Sequence, residues 1–261
     1  MTPQEEILKK QLITSGLSSA EIEKIFTGLK NRAFFSARIE SARFLQQAQQ
    51  QVSDYLASAQ RGDGAITSRA SAISAIMEQA RNEGIDTGTG KLTDPGSVSR
   101  AKVIVDTNAD LARGYVSRAM QTTTGARLAF PAQELIRVEE RQSKRNWIQK
   151  WKDNGGKTPG GRMIALKEDP VWVSISRFGV PYPPFDYGSG MGVEDIDYDT
   201  CVALGVITED YKPEGDITAD FNKNLEAELI FKGESDPAWQ YLKLAFGDQV
   251  TIKDNKITWQ G

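Results

Sequence analysis

Between Glu134 and Gly192 the chain carries three of its five tryptophans, Trp147, Trp151 and Trp172, and five of its ten prolines. The Gly155-Gly156 and Pro183-Pro184 pairs break any regular period there. Indole and phenyl rings nevertheless bury large areas and need fixed partners. Together these demands predict a compact, irregular module with a core of Trp147, Trp151, Trp172, Phe178, Pro183, Pro184 and Phe185.

Upstream the pattern is helical. Residues 3–13 place Ile7, Leu8 and Leu12 on one side, with Gly16 as the stop. Ser18 and Glu21 form a capping box that opens a second helix through Ile22, Ile25, Phe26 and Leu29. A third, long helix is predicted from Ala33 to Gln60. Leu45, Val52 and Ala59 repeat at seven there, with Ala42, Ala48 and Tyr55 between them, as in a packing seam. Arg61-Gly-Asp-Gly64 stops it, and its Arg-Gly-Asp tripeptide reads as turn chemistry, not an integrin motif. Thr67 or Ser68 caps the next helix, through Ile73, Ile76, Met77 and Ala80 to Gly84. Ile85 to Gly96, rich in Gly, Thr and Asp, predicts a mobile, exposed loop. Ser97 to Gln121 is again helical, with Ala101, Ile104, Asn108, Leu111 and Tyr115 in one stripe and Asn108 as a polar register position.

The pattern changes at Ala126. Leu135 to Glu139 alternates as a strand, and Met163-Ile-Ala-Leu166 has strand length. Asp169-Pro170-Val-Trp172 and Asp236-Pro237-Ala-Trp239 each offer an Asp cap and a first-turn proline to a short helix. Val250 to Trp259 alternates about Asp254-Asn255, which predicts a β-hairpin. The expected class is α+β. A helical region, bundle or extended arm, fills 1–125; a Trp-rich module follows over 126–207; and an acidic extension with a short helix and the hairpin fills 208–261.

Composition narrows the chemistry. The chain has no histidine and one cysteine, Cys201. It lacks the usual general base near neutral pH, a Ser-His or Cys-His nucleophile pair, and an imidazole-bearing zinc site. A single cysteine excludes an internal disulfide framework and points to a reducing compartment. Nothing basic adjoins Cys201, so it reads as a small buried apolar residue. Mean hydropathy of −0.44 with 26% charged residues describes a soluble protein. No apolar run approaches the ~20 residues that span a bilayer. The first residues lack the regions of a secretory signal, so no membrane anchor is expected. The net charge of −3 is uneven: residues 1–150 carry 21 Lys and Arg against 16 Asp and Glu, and residues 151–261 carry 11 against 19. This is either ordinary surface variation or a basic half that faces DNA or an acidic partner.

Three constellations carry candidate chemistry. Gly156-Lys157-Thr158 ends like a phosphate-binding loop, but Trp151 stands where that loop needs glycine and no strand leads in. Asn154 to Gly161 is therefore a flexible glycine-rich hairpin or loop. Glu194, Asp195, Asp197 and Asp199 resemble the start of a calcium loop. Thr200 occupies the sixth position where glycine belongs, and Val206 the twelfth where a bidentate glutamate belongs. An aspartyl-phosphatase reading fails for want of a preceding buried strand. Asp195, Asp197 and Asp199 remain candidate metal ligands, but an acidic helix start before Cys201 is favoured. Arg137, Arg141, Lys144 and Arg145 adjoin Trp147 and Trp151. They either contact nucleic acid or pair with Glu134, Glu139 and Glu140.

The order of pieces within the Trp-rich stretch resembles a known family. The series runs from Phe130-Pro131 through Glu134, Arg137, Glu139 and Arg141 to Arg145, Trp147, Trp151 and Gly155-Gly156. It continues with Arg162-Met-Ile-Ala-Leu-Lys167, Trp172, Ser176-Arg-Phe-Gly179, Pro181-Tyr-Pro-Pro-Phe-Asp186, Ser189-Gly-Met191 and Asp195. It is similar to tailed-phage head-morphogenesis proteins, also called minor head or minor capsid proteins, over about Asn108 to Ile207. Pro181 to Asp186 and Ser189 to Met191 are the most specific pieces; Thr107-Asn108, Leu111 and Gly114 in the preceding helix are similar in kind. The resemblance implies a virion structural protein without catalytic residues or cofactor. It would be present in a few copies inside the head near the portal, with the portal protein, other head proteins and packaged DNA as partners, and would assemble in the host cytoplasm. Broader members end this domain with a His- and Cys-containing motif, which this chain lacks. The Trp-rich core must then stabilise the domain alone. Two other readings stay open: a carboxylate-dependent metal hydrolase or nuclease at Glu194 to Asp199, and a DNA-binding module on the basic stretch.

Overall fold

In a computed structural model the chain is α+β. The structure describes residues 1–12, 33–34, 36, 38–61, 67–85, 88–141, 144–217, 226–228, 243, 247–253 and 256–259. The expected helix from Ser18 to Leu29 and the Asp236-Pro237 helix start lie outside them. The chain divides into two compact units, 1–112 with 220–261, and 113–219. The sequence had pointed to boundaries at 125 and 207. Arg118 and Thr122 make their contacts within the second unit, and hydrogen bonds to Thr122, Thr124, Arg127 and Tyr198 hold parts of 208–217 there, so both limits move. The charge contrast between halves vanishes at the new boundaries. Unit 113–219 carries 14 Lys and Arg against 15 Asp and Glu, and the other unit 18 against 20.

The first unit opens with α1 (Pro3–Lys9), closed at its start by a reciprocal capping box between Thr2 and Glu5. This helix is shorter than the expected 3–13 because Gln11–Leu12 (β1) is extended and pairs in parallel with Ala33–Phe34 (β2). The expected helix start at Ala33 moves accordingly. Arg38 adopts a positive φ of 60°, Ser41 Oγ accepts the Phe44 N–H at 3.0 Å, and α2 runs Ala42–Arg61. Its seam is real at Leu45, Ala48 and Val52 but continues through Phe44 and Leu56, while Ala42 and Ala59 are exposed. The straight α-helix drifts off a strict seven-residue repeat. Ser68 caps α3 (Arg69–Asn82), and α4 follows at Val98–Gln121. Ile7, Leu45, Val52, Ile73, Ile76, Ile104 and Val105 share one apolar core, so these helices form a packed bundle. In the 85–96 loop, Asp94 accepts backbone N–H groups from Thr89 and Lys91, at 2.8 and 3.0 Å.

Near the C-terminus β7 (Val250–Lys253) and β8 (Lys256–Trp259) form the expected hairpin, and β6 (Glu226–Glu228) adds a third antiparallel strand against β8.

The second unit is built on a three-stranded antiparallel sheet. Its strands are β3 (Ala132–Arg137), β4 (Ile164–Leu166) and β5 (Met191–Ile196), with β3 central. Because side chains alternate across a strand, the sheet sorts its residues into two faces. Leu135, Ala165, Met191 and Val193 face the aromatic cluster. Ala132, Ile164 and Ile196 face Cys201 on α8 (Tyr198–Ala203). A short helix, α5 (Thr124–Ala129), precedes β3.

The aromatic cluster is the predicted one at Trp147, Trp151, Trp172 and Phe185, while Phe178 is buried apart from it against Tyr187. Trp147 and Trp151 come from α6 (Trp147–Asp153), and Trp172 from α7 (Val171–Ser174). Trp151 meets Trp172 edge to face at 5.0 Å, and Trp172 stacks on Phe185 at 5.9 Å. Burying one such ring is worth at most ~5 kcal/mol, from about 200 Å² at about 25 cal/mol/Å². Two indole N–H groups find backbone acceptors, Trp151 on the Lys157 carbonyl at 2.7 Å and Trp172 on the Leu166 carbonyl at 2.8 Å. The 154–161 segment is therefore folded over Trp151, not a free loop, and Gly156 lies against the indole so closely that a Cβ would overlap it. Pro183 and Pro184 are half-buried, not core. Their turn, with a cis bond between them, seats on α4 at Gly114, where a Cβ would collide with the Pro183 carbonyl oxygen.

Candidate functional site

The acidic residues do not gather into a metal centre. Asp195 lies on the aromatic side of β5, opposite Gln133 in the register. Its Oδ1 accepts Gln133 Nε2 at 2.9 Å and meets the Lys167 ammonium at 3.0 Å. Asp197 caps α8: one oxygen accepts the Thr200 N–H at 2.9 Å and the other accepts the Thr200 hydroxyl at 2.7 Å. These bonds, the backbone one first, hold the Asp197 carboxyl below its ordinary value. Glu194 and Asp199 are exposed. Among the described residues no three His, Cys, Asp or Glu side chains come together to hold a metal ion. The favoured acidic helix start is what the geometry shows. One point is corrected: β5 does precede Asp197, so the aspartyl-phosphatase pattern fails because Asp197 is a cap, not for want of a strand. Cys201 is buried, and burial pushes its thiol up, which makes it a poor nucleophile.

Around Asp195 the fold assembles a polar cluster that the sequence did not reveal. Arg118, from the last turns of α4, is 2% exposed and Lys167 is fully buried. Arg118 donates to the Lys167 carbonyl and, at 3.3 Å, to Gln133 Oε1. Lys167 also donates to the Gln121 carbonyl at 3.2 Å. Burial pulls the Arg118 guanidinium down to about 10, opposed by Glu168, and lowers Lys167, opposed by Asp195. Beside them Arg127 pairs with Glu168 at 3.0 Å, and Glu168 accepts Tyr211 OH at 2.9 Å. Asp216 accepts both the N–H and hydroxyl of Thr124, each at 2.6 Å. Polar and charged side chains thus tie residues 15 to 92 positions apart, joining the end of α4, the sheet and 208–217. The only sequence signal was charge at otherwise apolar registers, as with Arg118 in a helix and Lys167 after a strand.

The basic stretch is divided in its roles. Trp147 and Trp151 are buried and offer no face to a base. Arg141 pairs with Glu139, and Lys144 with Glu140 at 2.5 Å. Glu134 instead pairs with Arg162, with the Arg162 Nε at 3.0 Å. Arg137 is half-buried. Arg145 turns the other way, towards Asp186 and the Tyr187 carbonyl. The structure therefore separates Arg145 from the other three and places it, with Arg177, near Asp186.

Comparison of the chain with protein-family models, with curated proteins and with solved structures finds no match. Among the described residues no helix is long and apolar enough to cross a membrane.

Proposed function

We propose that this protein is a virion structural component of the minor head type, which associates with the portal and acts in head morphogenesis or in DNA packaging and delivery. It works by binding, not by catalysis, and is present in several copies within the assembly. One observation supports this reading. The residues that carry the resemblance run from about Asn108 to Ile207, and they nearly coincide with the compact unit 113–219. Within that unit Trp147, Trp151, Trp172, Phe185 and Met191 enclose one core, and the Tyr182-Pro183 turn seats on Gly114. The resembling pieces are thus the parts of one folded module, not scattered matches. The engagement of Asp195 by Lys167 and of Asp197 in the α8 cap supports this reading over a carboxylate hydrolase.

Co-expression with the portal protein of the same virus tests the proposal, with mass read by light scattering after purification. A stable complex with several copies per portal ring is expected. A chain that stays monomeric and ignores the portal overturns the reading.

A further inference from the structure

In the second unit β3 lies between β4 and β5, so each of those strands has an outer edge. Alternate residues of a strand turn their backbone groups to opposite sides, and the ladder fixes which ones turn outward. Leu135 directs its N–H to the Met163 carbonyl at 2.9 Å, on the β4 side, while Val138 donates to the Gly190 carbonyl at 2.9 Å, on the β5 side. Gly190 therefore faces β3, and so, at steps of two, do Gly192, Glu194 and Ile196. Met191, Val193 and Asp195 present their N–H and C=O groups to the outer side. Met191 N–H reaches the Ser189 hydroxyl at 3.3 Å. The backbone groups of Val193 and Asp195 have no hydrogen-bond partner among the described residues. Such groups stay in water, because burying them unpaired is costly. The β4 edge is closed by contrast. Its Leu166 carbonyl accepts the Asp169 N–H at 3.0 Å and the Trp172 indole at 2.8 Å, and the Ile164 N–H donates to the Arg162 carbonyl at 3.0 Å. Along Met191–Ile196 there is neither a proline nor a bulge to blunt the open edge.

Charge restricts what can pair there. Glu194 is exposed, stands directly opposite Glu134 in the register and has no ion pair among the described residues. Arg162 is bound to Glu134, with its Nε at 3.0 Å. Counting Arg162 against both carboxylates still leaves one negative charge. Pairing β5 with a second copy of itself would set Glu194 and Asp195 of both chains on one ladder, where like charges repel.

We propose that the outer edge of β5 accepts an extended polypeptide segment of another protein as an added antiparallel strand, with a lysine or arginine of that segment beside Glu194. Backbone hydrogen bonds to Val193 and Asp195 supply the attraction, and alternate side chains supply the selectivity. Val193 and Asp195 would form the hydrogen-bonded pairs of the new ladder. Glu194 then falls at a non-hydrogen-bonded pair, where facing side chains come closest. A basic residue there is attracted and an acidic one repelled. On the opposite face the added strand runs past Met191 and Val193, which belong to the aromatic side and favour apolar neighbours. The edge is a feature of the sheet and does not depend on portal association, so either proposal can fail without the other.

The test is fluorescence anisotropy of a short labelled peptide of alternating valine and lysine with the full-length protein. Methylating the backbone nitrogens of its valines, which would face β5 from opposite Val193 and Asp195, should weaken binding about fivefold or more. Methylating those of its lysines, which would face away, should change it less than about twofold. These two probes leave the protein untouched, so folding does not enter the comparison. Val193→Pro removes one outward N–H at a position where an edge strand tolerates proline, and should weaken binding about fivefold or more. Glu194→Lys should reverse the preference between this peptide and one of alternating valine and glutamate. No binding of the unmethylated peptide overturns the proposal, as does equal binding of the two methylated forms or undiminished binding by Val193→Pro. Equally tight binding of the valine-glutamate peptide to the unaltered protein overturns the assignment to a basic segment.

Discussion

The ammonium of Lys167, which has no exposed surface, lies 3.0 Å from Oδ1 of Asp195. The same oxygen accepts Gln133 Nε2 at 2.9 Å, so one carboxylate holds a buried cation and a central-strand amide together. Arg118 reaches the same place from α4, through the Lys167 carbonyl and the Gln133 amide oxygen. The end of the sheet is thus closed by charge, where the other end is closed by tryptophan.

Removing the carboxylate should be costly. Asp195→Ala leaves Lys167 buried without its counter-charge, and a loss of about 3 kcal/mol is expected in urea unfolding. Lys167 already lies below its ordinary value through burial, and without Asp195 it falls further. Between its folded value and its unfolded value the unfolded chain binds the extra proton, so stability rises with pH in that window. The deficit of Asp195→Ala should therefore shrink as pH is raised from 8 towards 10. A deficit that is constant with pH would place the loss elsewhere.

Asp197 should contribute to acid sensitivity. Its folded value is depressed below 3.8 by the Thr200 N–H and hydroxyl. That contribution is fully present above the unfolded value and disappears as pH falls through the folded one. Asn can still cap the helix but does not titrate. Asp197→Asn should therefore lose less stability than the wild type between pH 5 and 2, measured by thermal unfolding. Parallel curves would mean that the carboxylate is not held as described.

Gly114→Ala should disrupt the seat of the Pro183-Pro184 turn, because the new Cβ meets the Pro183 carbonyl oxygen and lies 2.7 Å from the Tyr182 ring. Overpacking of this kind costs typically 1–3 kcal/mol. The loss should appear in denaturant unfolding, with a changed near-ultraviolet signal from Tyr182. The conservative change to Ala in a helix would otherwise stabilise by about 1 kcal/mol, so the sign of the effect decides the matter.

Trp172 makes two separable contributions. Trp172→Phe keeps most of the ring packing against Trp151 and Phe185 but leaves the Leu166 carbonyl without its indole donor. A loss of about 1–3 kcal/mol is expected, against about 3–5 kcal/mol for Trp172→Ala. Equal losses for the two variants would show that the ring packing contributes little, and no loss for Trp172→Phe would show the same of the hydrogen bond.

The aromatic core was legible because Trp147, Trp151, Trp172 and Phe185 are too large and apolar to be left in water in such number. Which side of each strand they faced followed only from the β3 register. Helices at 69–82 and 98–121 were legible from periodicity, the first also from its serine cap. The segment at Ala33 was not, because a two-residue parallel pairing with Gln11–Leu12 overrides a locally helical composition. The basic run from Arg137 to Arg145 looked like one feature, yet its members point to different partners, since neighbouring residues in an irregular chain share no common face.

By itself, the sequence determined the α+β class, the helical N-terminal part, the tryptophan core and the absence of histidine chemistry. Those depend on period, ring size and residue type, which are local properties. Tertiary structure alone decided that Lys167 and Asp195 meet, that Gly114 receives the Pro183 turn, and that Arg145 and Arg177 both approach Asp186. Those contacts join residues distant in the chain, and a buried charge or a missing Cβ acquires meaning only from what the fold places beside it.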